Sequence, residues 1–408
     1  MPDYKGIEYL RKKLNLKRLR VNKRYDFYEM KNVARDFGIS TPPTLRNWFS
    51  SLGWCAKAVD SIADRLEFRE FVEDNFDMNE IFRMNNPDIL PSSAILSALI
   101  SSCSFIYISA DETGYPRLQV IDGANATGII DPITNLLKEG YAVLERDERK
   151  NPVLEAHFQA GLTWYFDKRG RENQRYSIKN PAPYPLLVPV IFRPDARRPF
   201  GHSRISRACM SYAESAIRTI KRGEISAEFY SFPQKYVTGI AQDADFDKWQ
   251  ATMSSFLRFE LDDNGEDNIK LGSFTQQSMQ PHVDQLRMFA ALFAGETGLT
   301  LDDLGFVSDN PSSQEAIKAS HESLRLTARR AQRTFGSGFL NAGYLAACVR
   351  DEYPYQRQQV YLTSPRWYPI FEPDASSLSG IGDGIMKLNQ AVPNFIDEEK
   401  LQDMTGIG

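Results

Sequence analysis

Cysteine and histidine are scarce in this chain, with four of each among 408 residues. The cysteines, Cys55, Cys103, Cys209 and Cys348, stand far apart and form no CxxC pair. That spacing argues against a disulfide framework and predicts reduced, buried thiols in a cytosol-like compartment. The histidines, His157, His202, His282 and His321, are isolated, with no HExxH and no cysteine at ligand spacing, so no metal site is expected. No apolar run approaches the roughly 18–20 residues that cross a bilayer. No apolar h-region opens the chain, so neither a membrane role nor a secretory signal is expected.

Catalytic motifs are missing as well. Without a GxxxxGK[ST] loop the chain is not expected to hydrolyse ATP by that route. The glycines of "GIGDG" (Gly380–Gly384) follow no strand and have the wrong spacing for a dinucleotide site, and there is no GxSxG elbow. The segment "ELDDNG" starts like a calcium loop, but it opens on Glu260 and carries Leu271 where a bidentate Glu is needed. One nuclease-like pattern exists: Pro373-Asp374 precedes Glu398-x-Lys400, an order in which Asp and Glu can hold Mg²⁺ while Lys orients water. No strand-rich context surrounds Glu398, and Pro393 with Asp397 reads as a helix start. The expectation is therefore no catalytic residue, no cofactor and no metal, with a metal-dependent nuclease as an alternative reading.

Charge of one sign is absent locally. Between Arg287 and Lys318 there is no Lys or Arg, while Glu296, Asp302, Asp303, Asp309 and Glu315 fall in that stretch. The opposite bias marks the start. Residues 1–24 hold nine Lys/Arg against two acids, a local +7 within a chain of net charge −4. A basic arm on an acidic body is either a solvated helix or a surface for something anionic.

What is present divides into several modules, as the length suggests. Residues 1–84 read mainly helical, with Trp48, Leu52, Cys55, Val59, Ile62 and Leu66 on one face. Residues 95–100 are ambiguous. From Phe105 to about 180 the period is that of strands and hairpins. "NPAPYPLLVPVIFRPDARRPFG" carries six prolines and marks a boundary. A helix is predicted over Ser203–Tyr230 with Ile205, Cys209, Tyr212, Ala216 and Ile220 inward and Arg204, Arg207, Arg218 and Lys221 off that stripe. "KYVTGI" reads as a strand, "DADFDKWQATMSSFL" as a helix, and "LRFEL-DDNG-EDNIKLG" as a hairpin turning at Asn264-Gly265. A second helix follows from Met279 to Gly295. A long helix begins near Ser312, capped by Ser312 and Glu315, with a kink expected at Gly336 and Gly338. Residues 382–405 read as short helices.

Several of these segments together resemble the portal proteins of tailed bacteriophages. They are "NWFSSLGWCAKAVDSIADRLEFREF", "VPVIFRPDARRPFGHSRISRACMSYAESAIRTIKRGEISAEFYSFPQKYVTGI" and "LTLDDLGFVSDNPSSQEAIKASHESLRLTARRAQRTFG". The likeness covers most of residues 40–350, and its weight lies in their order. It implies an α+β portal fold: an α/β wing, a two-helix stem, a small α/β clip, a long kinked helix and a short helical crown. Residues 1–198 would form the N-terminal wing, 199–231 the first stem helix and 232–277 the clip. Residues 278–296 would form the second stem helix, 297–312 the tunnel loop, 313–374 the rest of the wing, and 375–408 a crown or C-terminal tail.

The resemblance also implies a homo-oligomeric ring of about twelve subunits. Such a ring passes double-stranded DNA non-specifically during packaging and ejection. It docks the terminase large subunit, whose ATPase supplies the energy, then a head–tail adaptor, and it meets the major capsid and scaffold proteins. It would sit in the virion at the capsid portal vertex after assembly in the host cytoplasm. On this reading Glu296, Gly298, Leu299, Leu301, Asp302, Asp303, Gly305 and Asp309 belong to the DNA channel and tunnel loop, with Gly298 and Gly305 as hinges. Leu299, Leu301, Leu304, Phe306 and Val307 either pack between subunits or protrude as a collar. Asp245, Trp249, Phe256, Asp262 and Asp263 are expected to dock partners on the clip. Arg325, Arg329 and Arg333, at i+4 steps, are expected to meet acids of a neighbouring subunit. Another virion assembly protein without a channel is the remaining alternative.

Overall fold

The structure, a computed structural model, describes residues 4–34, 49–170, 173–231, 235–240, 256–260, 270–273, 278–307, 319–371 and 375–405. Its elements begin with α1 (Ile7–Tyr28), α2 (Trp54–Ala63), β1 (Phe68–Val72), α3 (Met78–Arg83) and α4 (Leu90–Ser101). The strand-rich part follows: β2 (Cys103–Ala110), β3 (Pro116–Ile121), β4 (Ala126–Ile130), β5 (Leu137–Arg146), β6 (Pro152–Gln159), β7 (Leu162–Asp167), β8 (Gln174–Lys179) and β9 (Leu187–Ile191). Then come α5 (Arg207–Ser231), β10 (Lys235–Ile240), β11 (Phe256–Glu260), β12 (Lys270–Ser273), α6 (Gln280–Thr297), α7 (Glu322–Arg350), β13 (Ser364–Trp367), α8 (Ala375–Ala391) and α9 (Glu398–Thr405). The class is α+β, as the sequence pattern predicts.

Strand β2 is the spine of the first module. It lies between β3 and β9 in an antiparallel sheet, and Cys103–Ile108 is buried without interruption. Alternation explains how an unbroken apolar run can be a strand: each face meets a different cover. Cys103 and Phe105 face α1, where Lys17 Nζ lies 2.9 Å from Cys103 Sγ and over the Phe105 ring. Tyr107 meets Tyr165 of β7 through a 2.8 Å hydroxyl pair. On the other face the Ser104 hydroxyl donates to Ala94 O of α4. The ambiguous residues 95–100 lie within α4.

Strands β4 to β8 form a five-stranded antiparallel meander in sequence order. One face of β5 and β6 presents Glu139, Tyr141, Val143, Glu155 and His157, because Tyr141 pairs with His157 and Val143 with Glu155. Helix α1 lies on this face, with Leu10 and Leu14 buried against Tyr141 and Val143. The basic arm is thus not a freely solvated helix. Arg11 pairs with Glu155, Lys13 donates to Gly128 O at 2.7 Å, and Arg24 donates to Ser101 O at 2.8 Å.

Helices α5 and α6 form an antiparallel hairpin. Ser206, just before α5, donates to Glu296 (2.7 Å), Thr219 to Gln285 (3.0 Å), and Ser226 meets His282 at 3.4 Å. The 25 residues of α5 make it about 37 Å long at 1.5 Å per residue. Helix α5 starts at Arg207 rather than Ser203 because Ser206 caps it, its hydroxyl accepting the Cys209 N–H at 3.1 Å. Between the two helices the chain forms a small sheet in the order β11-β10-β12. Here the sequence reading is corrected: β11 and β12 do not form a hairpin. Both border β10, β11 in parallel and β12 antiparallel. The Asn264-Gly265 turn and most of the helix expected in "DADFDKWQATMSSFL" lie outside the described residues, but its last two residues, Phe256 and Leu257, are in β11 and not in a helix.

Helix α7 runs continuously from Glu322 to Arg350, so Gly336 and Gly338 do not end it. Its C-terminal half is buried on every side, the pattern of a core helix. The glycines serve close packing. A Cβ on Gly336 would lie 2.5 Å from Pro365 of β13, and one on Gly338 3.3 Å from Val190 of β9. Phe339 on this helix joins Phe68, Phe82 and Trp367 in an aromatic cluster with ring centroids 5.3–6.2 Å apart. The capping pair expected at Ser312 and Glu315 lies outside the described residues.

Candidate functional site

The cation-free stretch starts on the last turns of α6. Gly298 ends that helix in the left-handed region (φ +69), its N–H bonding Ala294 O at 2.7 Å. A 3-10 turn over Asp302–Leu304 follows and is closed by Gly305 at φ +90. Among the expected channel residues, Glu296 and Asp302 are exposed, whereas Asp303 is half-buried. Asp303 accepts the Thr300 N–H and hydroxyl, both at 2.9 Å, and faces His321 at 3.3 Å. Burial alone would raise its carboxyl; the Thr300 donors, with His321 and Lys57 nearby, hold it below the usual carboxylate value.

The apolar residues of the turn do not all project. Leu299 and Leu304 are buried in the chain's own core, and Leu301 and Phe306 pack against it. Val307 stands out, at 80% exposure. A collar built from all five is therefore corrected to a folded turn with one projecting residue. The two glycines also differ. A Cβ on Gly298 would meet Ser323 Oγ at 2.7 Å, whereas one on Gly305 would meet nothing within 4 Å. Asp309 lies outside the described residues.

Arg204 fastens this turn. Sequence reasoning set it off the apolar stripe of α5, but it is buried, at 7% exposure. Its guanidinium donates to Ala58 O of α2 at 3.0 Å and to Thr297 O at the C-terminus of α6. Burial lowers its pKa to about 10. A cation at a helix C-terminus also meets the negative end of the helix dipole. No local pattern distinguishes this arginine from its exposed neighbours in the sequence.

Arg325, Arg329 and Arg333 share one side of α7. Arg325 is held by Glu322 at 2.7 Å on its own helix. Arg329 and Arg333 border a groove of about 460 Å³ that reaches Pro365 and Trp367. Of the expected clip residues, Phe256 begins β11, while Asp245, Trp249, Asp262 and Asp263 lie outside the described residues. For the nuclease pattern, Glu398 and Lys400 lie on α9, where Lys400 pairs with Asp397 at 3.4 Å, and Asp374 lies outside the described residues. Among the described residues no group of three His, Cys, Asp or Glu side chains could hold a metal ion. The cysteines Cys55, Cys103, Cys209 and Cys348 are free and buried.

One surface was not legible from motifs. Helix α6 exposes Met288, Ala291, Leu292 and Gly295 at i, i+3, i+4 and i+7, an apolar stripe on the side away from the core. It runs directly into Glu296.

No protein-family profile matches the chain. Two curated proteins do, the portal proteins of Mycobacterium phage L5 and Mycobacterium phage D29. Each is 25% identical over 352 residues, spanning 78% of this chain and 69% of the relative. Among solved structures, a chain from the virion of a native gene transfer agent particle is 13% identical at a TM-score of 0.45, covering 95% of this chain and 99% of that one. A chain from the neck of the native particle, computed with C12 symmetry, is 14% identical at the same TM-score, covering 93% and 98%. By its sequence, the chain is similar to the portal proteins of these two mycobacteriophages.

Proposed function

We propose that the chain is one subunit of a portal ring of about twelve copies at a capsid vertex, forming the channel through which double-stranded DNA enters and leaves a virion. The likeness to two phage portal proteins supports this reading. In the structure, the observation that carries it is the outward stripe of α6. Met288 and Leu292 are 49% and 45% exposed, side by side on a helix whose opposite face is already packed. Ala291 and Gly295 between them let another helix approach closely. A contiguous apolar stripe of this kind marks an interaction surface. In a cyclic ring the contact is heterologous, so the stripe meets a different face of the next copy.

On this reading the α5–α6 hairpin is the stem, 232–277 the clip, 297–312 the tunnel loop, 1–198 and 313–374 the wing, and 375–408 the crown. The exposed Glu296 and Asp302 then recur around the bore. DNA binding strengthens with each phosphate neutralised by a cation. A wall with carboxylates and no Lys or Arg offers no such neutralisation, so the duplex slides. The clip docks the terminase large subunit and later a head–tail adaptor, and the wing meets the capsid and scaffold proteins. Assembly takes place in the host cytoplasm, and the chain performs no chemistry of its own.

Mass photometry of the purified chain tests the ring. The expected result is a closed oligomer of the wild type. Leu292→Lys, at an exposed position, should give monomers whose circular dichroism spectrum matches that of the wild type. A wild type that stays monomeric at all concentrations, or rings indifferent to Leu292→Lys, would contradict the assignment.

A further inference from the structure

The basic arm carries charge that the channel does not use. Its two sides have different fates. Arg11, Lys13 and Lys17 are tied to the strand module. Arg20, Lys23 and Arg24 instead line a cleft of about 520 Å³ together with Arg198, His202 and Arg207. These side chains come from three separate places in the fold: the last turns of α1, the loop before α5, and the first residue of α5.

The cleft is under-compensated. Glu214 faces Lys23 at 4.0 Å, and Asp195 accepts from His202 at 2.6 Å. Arg24 donates to Ser101 O, a neutral acceptor. Arg20 and Arg207 are exposed and have no hydrogen-bond or ion-pair partner among the described residues. Burial, with the Arg20, Arg198 and Arg207 cations nearby, pulls the Arg24 pKa below its ordinary value. The cations therefore repel one another across a space with room for an anion. The N-terminus of α5 opens on the same cleft, and its dipole adds positive potential there. Guanidinium groups are forks matched to phosphate oxygens.

We propose that this cleft is a phosphate-binding site that takes the sugar–phosphate backbone of a nucleic acid without sequence preference. Guanidinium and ammonium groups pair with phosphate oxygens whatever the base, and those of the cleft could meet two or three successive phosphates. The site does not rest on the ring geometry and lies outside the cation-free stretch. Ser206, which lines the cleft, donates to Glu296 and so joins the two regions.

The test is fluorescence anisotropy of the full chain with a labelled mixed-sequence duplex across a salt series. Mass photometry of the same samples scores the ring separately. Substituting the three exposed arginines together (Arg20→Ala, Arg198→Ala, Arg207→Ala) should weaken binding at least tenfold. It should also reduce the slope of log K against log salt by about three. Replacing the same three by Lys should restore most of the slope, which a merely structural loss would not. Unlabelled pyrophosphate should compete, and a glutamate tripeptide of about equal charge should compete poorly. An unchanged slope in the alanine variant would overturn the proposal. So would displacement by the acidic peptide but not by pyrophosphate, which would assign the cleft to a protein's carboxylates. Binding of pyrophosphate without binding of the duplex would remove the nucleic acid as its ligand.

Discussion

Glu155 shows how much one side chain can organise. It is buried on β6, where Arg11 donates at 3.1 and 2.8 Å, Lys168 donates at 2.9 Å and the Tyr141 hydroxyl donates as well. Burial alone would raise its carboxyl. The donors from Tyr141, Arg11 and Lys168 more than offset this and hold it below the usual value. Next to it, Glu139 accepts the Lys5 and Gly6 N–H groups at 2.9 Å each and so anchors the start of α1. A carboxyl whose folded pKa is depressed contributes stability that is complete above the unfolded value of about 4.3 and is lost as pH falls through the folded value. Docking of α1 should therefore persist at neutral pH and weaken only as pH falls below the ordinary carboxylate range. Glu155→Gln should bring that loss to pH 7, at a cost of about 2 kcal/mol, less than for a fully buried pair because Arg11 and Lys168 are partly solvated. Hydrogen exchange of the α1 amides checks both; protection unchanged in the variant would refute the role. A trace of this was legible. The spacing of Glu155 and His157 places both on one face, and Glu139 and Tyr141 repeat it on the neighbouring strand. The missing information was that a basic helix covers that face.

Gly298 makes a second test. It combines a positive φ with a 2.7 Å approach to Ser323, so Gly298→Ala should destabilise by about 2 kcal/mol. Gly305→Ala meets open space and should cost about 1 kcal/mol, the backbone strain alone. Thermal melts giving equal shifts would contradict this ordering.

The helices were the more legible elements, because 3.6-residue periodicity shows which side each buries. Of the positions read as inward, Ile205, Cys209 and Ala216 are buried, whereas Tyr212 and Ile220 are only half-buried and Ala213 and Ile217 are buried instead. Two elements escaped that logic. In the small sheet, strand partners depend on long-range hydrogen bonding, and a local turn signal suggested the wrong neighbour for β11. On α7, Gly336 and Gly338 looked like breaks because glycine lowers helix propensity. The surrounding core decides otherwise: only a hydrogen side chain lets β13 and β9 approach that closely. Gly336→Ala should therefore destabilise by about 2–3 kcal/mol, since Pro365 is a rigid ring held in β13. Gly343→Ala should cost less, although its Cβ would fall 2.8 Å from Met78 Sδ, because that neighbour is a flexible side chain. Chemical denaturation of the two variants checks the order, and a larger loss at Gly343 would contradict it.

At the level of the assembled chain, two charge patterns have separate destinations. The basic arm lies on the strand module, with part of its charge tied down there and part lining the cleft of Arg20, Arg198 and Arg207. The cation-free stretch begins within α6 and includes the apolar stripe through which copies are proposed to meet. The second pattern could be read from composition alone, since the absence of Lys and Arg needs no structure. The apolar stripe could not, because Met288, Ala291, Leu292 and Gly295 look like ordinary core positions until the opposite face of α6 is seen packed on α5. The most direct measurement is cryo-electron microscopy of the purified chain at assembly concentration. The account predicts an annulus with an open axis, with the end of α6 and the exposed carboxylates of Glu296 and Asp302 turned toward the bore. A non-annular particle, or a ring with Asp302 on its outer rim, would contradict it.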